Sequence, residues 1–97
     1  MKEKNLLEYI REFSVPLELL ENTIIAAENI ANRTEEYFLN SGKKLEGTAA
    51  AIIYISGILE DDRRTQKEIS KVTNITESTI RNRYLEIVRS LEIKKEK

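Results

Sequence analysis

The chain has no cysteine and no histidine in its 97 residues, and only one proline and three glycines. The first two absences remove disulfides, thiol nucleophiles, imidazole bases and nearly every zinc site. The scarcity of proline and glycine leaves room for long helices and disfavours an all-β fold. The longest apolar run, Ala49 to Ile55, is too short to span a bilayer, and no signal peptide precedes it. Asn32 and Asn74 sit in Asn-x-Ser/Thr acceptor patterns that mean little without secretion. The carboxylate pairs Glu35/Glu36 and Asp61/Asp62 are neighbours in sequence and do not converge on one point, so no acid–base couple is visible. No catalytic residue, metal ligand or cofactor is expected. A cytoplasmic address is consistent with this composition.

What is present is charge, divided unevenly. The net of −1 conceals six Lys/Arg against twelve Asp/Glu in residues 1–62, and ten against five in residues 63–97. A basic end on an acidic body suits a protein that meets phosphate with one end only. The length allows one domain with a modest core.

Helical periodicity runs through the chain. A first helix is expected over Glu3–Phe13, with Leu6, Leu7, Ile10 and Phe13 on one stripe. Ser14-Val15-Pro16 should break it, because the residue before proline is pushed out of the α region and proline suits a first helical turn. A second helix then reads from Pro16 to Leu39. Leu17, Leu20, Ile24, Ala27, Ala31 and Phe38 line one side; Glu18, Glu21, Glu28, Glu35 and Glu36 line the other. Asn40-Ser41-Gly42 would end it, with Gly42 as a left-handed cap.

The third helix, about Leu45 to Leu59, is apolar or small on every side, which marks a helix surrounded by others. Gly57 inside it costs about 1 kcal/mol against alanine, so close packing or a bend should compensate. Thr65 and Glu68 form a capping box for a short fourth helix to Val72, and Thr73-Asn74-Ile75 is the turn. Thr76 can cap a fifth helix reaching Leu91, with Ile75 and Ile80 as a hydrophobic staple and Ile80, Tyr84, Ile87, Val88 and Leu91 as its buried stripe. Residues 92–97 read as a disordered tail. The expected fold is all-α, a single domain of five helices around a central buried one. The last two helices, about 65–91, form a helix-turn-helix, which places its second helix in the major groove of DNA.

On that helix Ser78, Arg81, Asn82 and Leu85 recur at i, i+3, i+4 and i+7, away from the apolar stripe. Arginine can donate two hydrogen bonds to guanine, asparagine can pair with adenine, and serine can serve either. Thr79 adds a hydroxyl and a methyl that could meet thymine. Ser78, Thr79, Arg81 and Asn82 are therefore the expected base contacts. Arg63, Arg64, Lys67 and Lys71 flank the fourth helix, and Arg83 and Arg89 lie along the fifth; these are the expected phosphate contacts. The competing reading makes Arg81, Arg83 and Arg89 ordinary solvated side chains, with Glu77 and Arg81 as an i,i+4 pair. Tyr84 and Tyr54 read as core.

Three segments together carry a resemblance: Gly47-x-Ala-Ala-Ala-x-x-Tyr54-Ile55, Arg64-Thr65-Gln66-x-Glu68-Ile69, and Thr76-Glu-x-Thr79-Ile-Arg81-Asn-Arg-Tyr84. The chain resembles the second, C-terminal cyclin-like repeat of archaeal transcription factor B, in the transcription factor IIB family. The resemblance implies a cyclin-like domain spanning residues 1–97. It implies a DNA-binding core domain of a general initiation factor, one that reads the promoter element upstream of the TATA box beside TATA-binding protein. It also maps Arg64, Thr65 and Gln66 to the helix end that faces the DNA backbone. The family usually has a valine-like residue where Ser78 stands, and often Asn-Pro where this chain has Lys44-Leu45, which leaves the base preference open. The family's zinc ribbon, polymerase linker and first repeat have no counterpart in this sequence. RNA polymerase is therefore expected to be reached only through N-terminal parts that the chain does not contain. The setting implied is the archaeal cytoplasm, or the nucleus for a eukaryotic chain, and a monomer is expected. Two alternatives stand beside this reading. One is a cyclin-like adaptor that binds a protein through its acidic helices; the other is a helix-turn-helix regulator that dimerises on a palindrome.

Overall fold

The computed structural model describes residues 4–39 and 44–91, with residues 36–39 as backbone only. The described residues form five helices: α1 (Leu6–Leu17), α2 (Glu21–Leu39), α3 (Leu45–Leu59), α4 (Gln66–Thr73) and α5 (Glu77–Leu91). The sequence expectations for Gly42 as a cap, Phe38 and Glu36 as side chains, Glu3 as a helix start and 92–97 as a tail fall outside these residues.

The first two helices divide differently from the sequence reading. α1 is opened by a capping box, in which Asn5 Oδ1 accepts from Glu8 N at 2.9 Å and Asn5 N donates to Glu8 Oε1 at 2.8 Å. It does not stop before Pro16 but carries it in the last turn. Glu18 then enters the left-handed region (φ 53°). Leu19 N donates to Ser14 O at 3.2 Å and Glu18 N to Val15 O at 3.0 Å, a Schellman ending without glycine. The extension seats Leu17 in the core at 7% exposure. Burying that side chain contributes about 1.5–3 kcal/mol, of the same order as the ~3 kcal/mol that proline costs inside a helix through its missing N–H and its ring's clash with the carbonyl four residues back. Leu20, expected on the buried stripe, instead lies in the turn and is 61% exposed. Thr23 is buried in its stead.

α3 is the axis of the molecule. Every residue from Gly47 to Gly57 is buried, and all four other helices pack on it. Buried hydroxyls along the bundle bond to carbonyls four residues back: Ser14 to Ile10, Thr34 to Ile30, Ser56 to Ile52 and Thr73 to Ile69, at 2.6–2.8 Å. Each of these four hydroxyls is thereby paired inside the core; the Thr48 hydroxyl, also buried, has no hydrogen-bond partner among the described residues. Tyr54 and Tyr84 meet edge to face, with centroids 5.3 Å apart. At its C-terminus α3 also ends in a Schellman arrangement. Asp61 takes φ 59° and Asp62 N donates to Gly57 O at 2.7 Å. This folds the chain back so tightly that a Cβ on Gly57 would lie 2.8 Å from the Asp62 carbonyl oxygen. Close approach, not a bend, is what the glycine supplies.

Candidate nucleic-acid interface

The helix-turn-helix is built by local signals. Thr65 Oγ1 accepts from Glu68 N at 3.0 Å and Glu68 Oε1 from Thr65 N at 2.8 Å, which opens α4. Asn74 ends it in the left-handed region (φ 65°), its N–H on Ser70 O at 2.8 Å. Thr76 then starts α5 by accepting from Thr79 N at 3.2 Å. Ile69, Ile80 and Ile87 are fully buried, while Ile75, Tyr84, Val88 and Leu91 pack against them from the edge. That burial turns the opposite side of α5 outward.

Ser78, Arg81, Asn82 and Leu85 all lie exposed on that side. From Ser78 to Leu85 the row covers about 10 Å at 1.5 Å per residue, or about three base steps of 3.4 Å. Among the described residues, Ser78, Arg81 and Asn82 form no side-chain hydrogen bond or ion pair, so their donors and acceptors are unspent. Arg81 is not held by Glu77. Arg63, Lys67, Lys71 and Arg89 are likewise exposed and unpaired among the described residues. Gln66 is half-buried, and the Thr65 hydroxyl is occupied by the cap.

Three other expected contacts sit elsewhere. Thr79 is half-buried, and its Cγ2 faces α3, 3.2 Å from where a Cβ on Gly47 would stand. Its hydroxyl accepts from Thr76 Oγ1 at 2.9 Å. The methyl is thus turned to the protein and not offered to a thymine. Arg83 lies beside the same glycine with its side chain only 18% exposed and Nη1 3.9 Å from Glu86 Oε1. A Cβ at position 47 would press on the Thr79 methyl, while the Arg83 side chain would stand at ordinary contact distance, 3.9 Å.

Arg64 departs furthest from its expected role. Its Nε donates to Leu17 O at 3.1 Å and its Nη2 to Glu18 O at 3.1 Å, while its Nη1 meets Asp62 Oδ1 at 2.7 Å. The same Nη1 lies 3.2 Å from Asp62 O and 3.4 Å from Arg63 O. The fork that would have gripped a phosphate is filled by the protein's own oxygens. Asp62, which the sequence reading weighed as half of the Asp61/Asp62 carboxylate pair, is the partner. Its Oδ2 accepts from Leu20 N at 2.9 Å and Thr23 Oγ1 at 2.8 Å, capping α2 where Leu20 has no side-chain acceptor of its own. Burial pushes the Asp62 carboxyl up, but the Leu20 amide, the Thr23 hydroxyl and the Arg64 guanidinium outweigh it and hold the group below its ordinary 3.8.

The protein-family model described as the transcription factor TFIIB repeat matches residues 2–90. Transcription initiation factor IIB of Methanopyrus kandleri is 44% identical over 86 residues, which is 89% of this chain and 28% of that protein. The factor of the same name from Sulfurisphaera tokodaii is 42% identical over 86 residues, again 89% and 28%. That of Pyrococcus furiosus is 40% identical over 87 residues, 90% of this chain and 29% of the relative. The chain thus spans under a third of the length of these relatives.

Proposed function

The chain belongs to the transcription factor TFIIB repeat family, whose cyclin-like all-α fold it shares, and we propose that it is the DNA-binding core domain of a general transcription initiation factor. In this reading α5 enters the major groove upstream of the TATA box, in cooperation with TATA-binding protein. The observation that carries it is the free outward row of α5: Ser78, Arg81 and Asn82, unspent among the described residues and held out by a buried opposite face. The major groove, about 12 Å wide, admits such a helix. Arg81 donates to a guanine and Asn82 to a neighbouring base. Leu85, 47% exposed at the end of the row, suits an apolar contact such as a thymine methyl.

Arg63, Lys67, Lys71 and Arg89 supply phosphate contacts. Arg64, its donors taken within the fold, and Arg83, its side chain mostly buried beside Gly47, leave this set. Four phosphate contacts correspond to a slope of log K against log salt of about −3.6. The acidic α1–α2 side stays off the nucleic acid, which favours one orientation on the duplex. The domain performs no chemistry of its own.

The test is a gel shift with TATA-binding protein on promoters with and without the upstream element. A supershift that depends on the element supports the reading. Equal shifts on both promoters, or none on either, would end it.

A further inference from the structure

The loop between α3 and α4 gathers the ends of four helices into one polar knot. Arg64 directly precedes Thr65, the residue that caps α4. Its guanidinium lies on the last carbonyls of α1, Leu17 O and Glu18 O, where a helix end is partly negative. Its partner Asp62 holds the first turn of α2 through Leu20 N and Thr23 Oγ1. The backbone of Asp62 is itself tied to the end of α3 through Gly57 O at 2.7 Å. Arginine carries five N–H donors; the contacts to Leu17, Glu18 and Asp62 leave Nη2 a single spare one. The Asp62 and Arg64 side chains are 8% and 22% exposed, so the pair works where water competes little.

We infer that Asp62 and Arg64 are the positioning residues of the helix-turn-helix, locking the start of α4 to the α1–α2 corner so that α5 is presented at one fixed tilt. The inference rests on the DNA-binding reading above and deepens it. A site that reads base edges needs its side chains held within about 0.5 Å of the productive geometry. α4 is short: it packs on α1, α3 and α5, and its capping residue Thr65 follows Arg64 directly in the chain. A lysine at position 64 would keep the charge but lose the planar fork that spans two carbonyls and a carboxylate.

The test compares the full chain with Arg64→Lys, Arg64→Gln and Asp62→Asn, at a temperature where circular dichroism shows each to be folded. Two readouts are taken: amide hydrogen exchange, and binding with TATA-binding protein to promoters with and without the upstream element across a salt series. Positioning predicts faster exchange across Gln66–Thr73 in all three variants. It also predicts a roughly tenfold loss of preference for the element and a salt slope equal to the parent's. The Arg64→Gln/Asp62→Asn double variant should be no worse than the poorer single one, because the two act as one unit. A slope that falls by about one in Arg64→Gln alone is the mark of a phosphate ligand and overturns the inference. So does unaltered preference in all variants, which is the mark of a pair serving stability only. Should the parent chain ignore the element, the DNA-binding reading fails. The exchange data still judge the lock in that case, and unchanged protection of α4 refutes it.

Discussion

Replacing Gly57 by alanine isolates the close approach on which the α3–α4 corner is built. By helix propensity alone the change should stabilise the protein by about 1 kcal/mol. The corner opposes it. The new methyl would lie 2.8 Å from Asp62 O and 3.3 Å from Arg63 Cα, where ordinary contact begins at 3.4 Å. Both neighbours are backbone, and no rotamer change relieves them. The chain must therefore retreat by roughly half an ångström, stretching the Asp62 N to Gly57 O bond that now measures 2.7 Å. Overpacking strain of about 1–3 kcal/mol and a weakened hydrogen bond of about 1 kcal/mol together exceed the propensity gain. The net expected loss is about 2 kcal/mol. For a domain of this size Tm then falls by about 8–16 °C, at 4–8 °C per kcal/mol. Urea unfolding followed by circular dichroism should show a lower midpoint at unchanged m. Gly47→Ala is the matched control: its nearest neighbour is the Thr79 methyl at 3.2 Å, a side-chain group that can yield. Its stability should stay within about 1 kcal/mol of the parent. A Gly57→Ala protein as stable as the parent, or two alanine variants that cannot be told apart, would refute the reasoning.

Other outcomes follow from the same geometry. Arg81→Ala should cost roughly 1–3 kcal/mol on the preferred site and blur its sequence preference; equal losses on every sequence in a competition gel shift would deny it a base-reading role. Lys67→Ala should weaken binding to all sequences alike and lower the salt slope by about one, to be checked by fluorescence anisotropy over a salt series. Asp62 is held below its ordinary 3.8 in the folded chain, so the unfolded chain takes up the proton first. Its contribution is complete above that value and is lost as pH falls through the depressed one. The stability gap between the parent and Asp62→Asn, measured by urea unfolding, should therefore be widest near neutrality and narrow in strong acid. A gap that grows on acidification contradicts the assignment. Sedimentation of the free chain should report a monomer, and a stable dimer would favour a regulator that binds palindromes.

The parts of the fold legible in the sequence are those written in neighbouring residues. The Thr65–Glu68 box, the Thr76 cap and the apolar stripe of α5 are short-range patterns, and each stands where it was expected. The all-round apolar character of Thr48–Leu59 identified α3 as central because no other environment suits such a segment. The α1–α2 boundary differs from the sequence reading because the burial of Leu17 offsets proline's local preference, and because the left-handed cap falls on Glu18 where glycine would be the usual signal. For the site, the outward row of α5 follows from periodicity. The engagement of Arg64 does not, since its acceptors Leu17 and Glu18 lie 47 and 46 residues away. Thr79 and Arg83 pack beside a glycine on another helix, a neighbour their own segment does not announce. The proximity of Asp62 to Arg64 was the one local hint that the arginine had an internal partner.

The same uniformity that makes α3 the axis makes it hazardous before the fold closes. Ala49–Ile55 has no charge, no proline and a β-branched, aromatic end, the composition of segments that pair with their own copies. Its cover comes from two helices that precede it in the chain and two that follow. While the C-terminal third is still being synthesised, half of that cover is missing. Refolding yield should accordingly fall with protein concentration, and a lysine introduced at the exposed Leu59 should act as a gatekeeper and restore it.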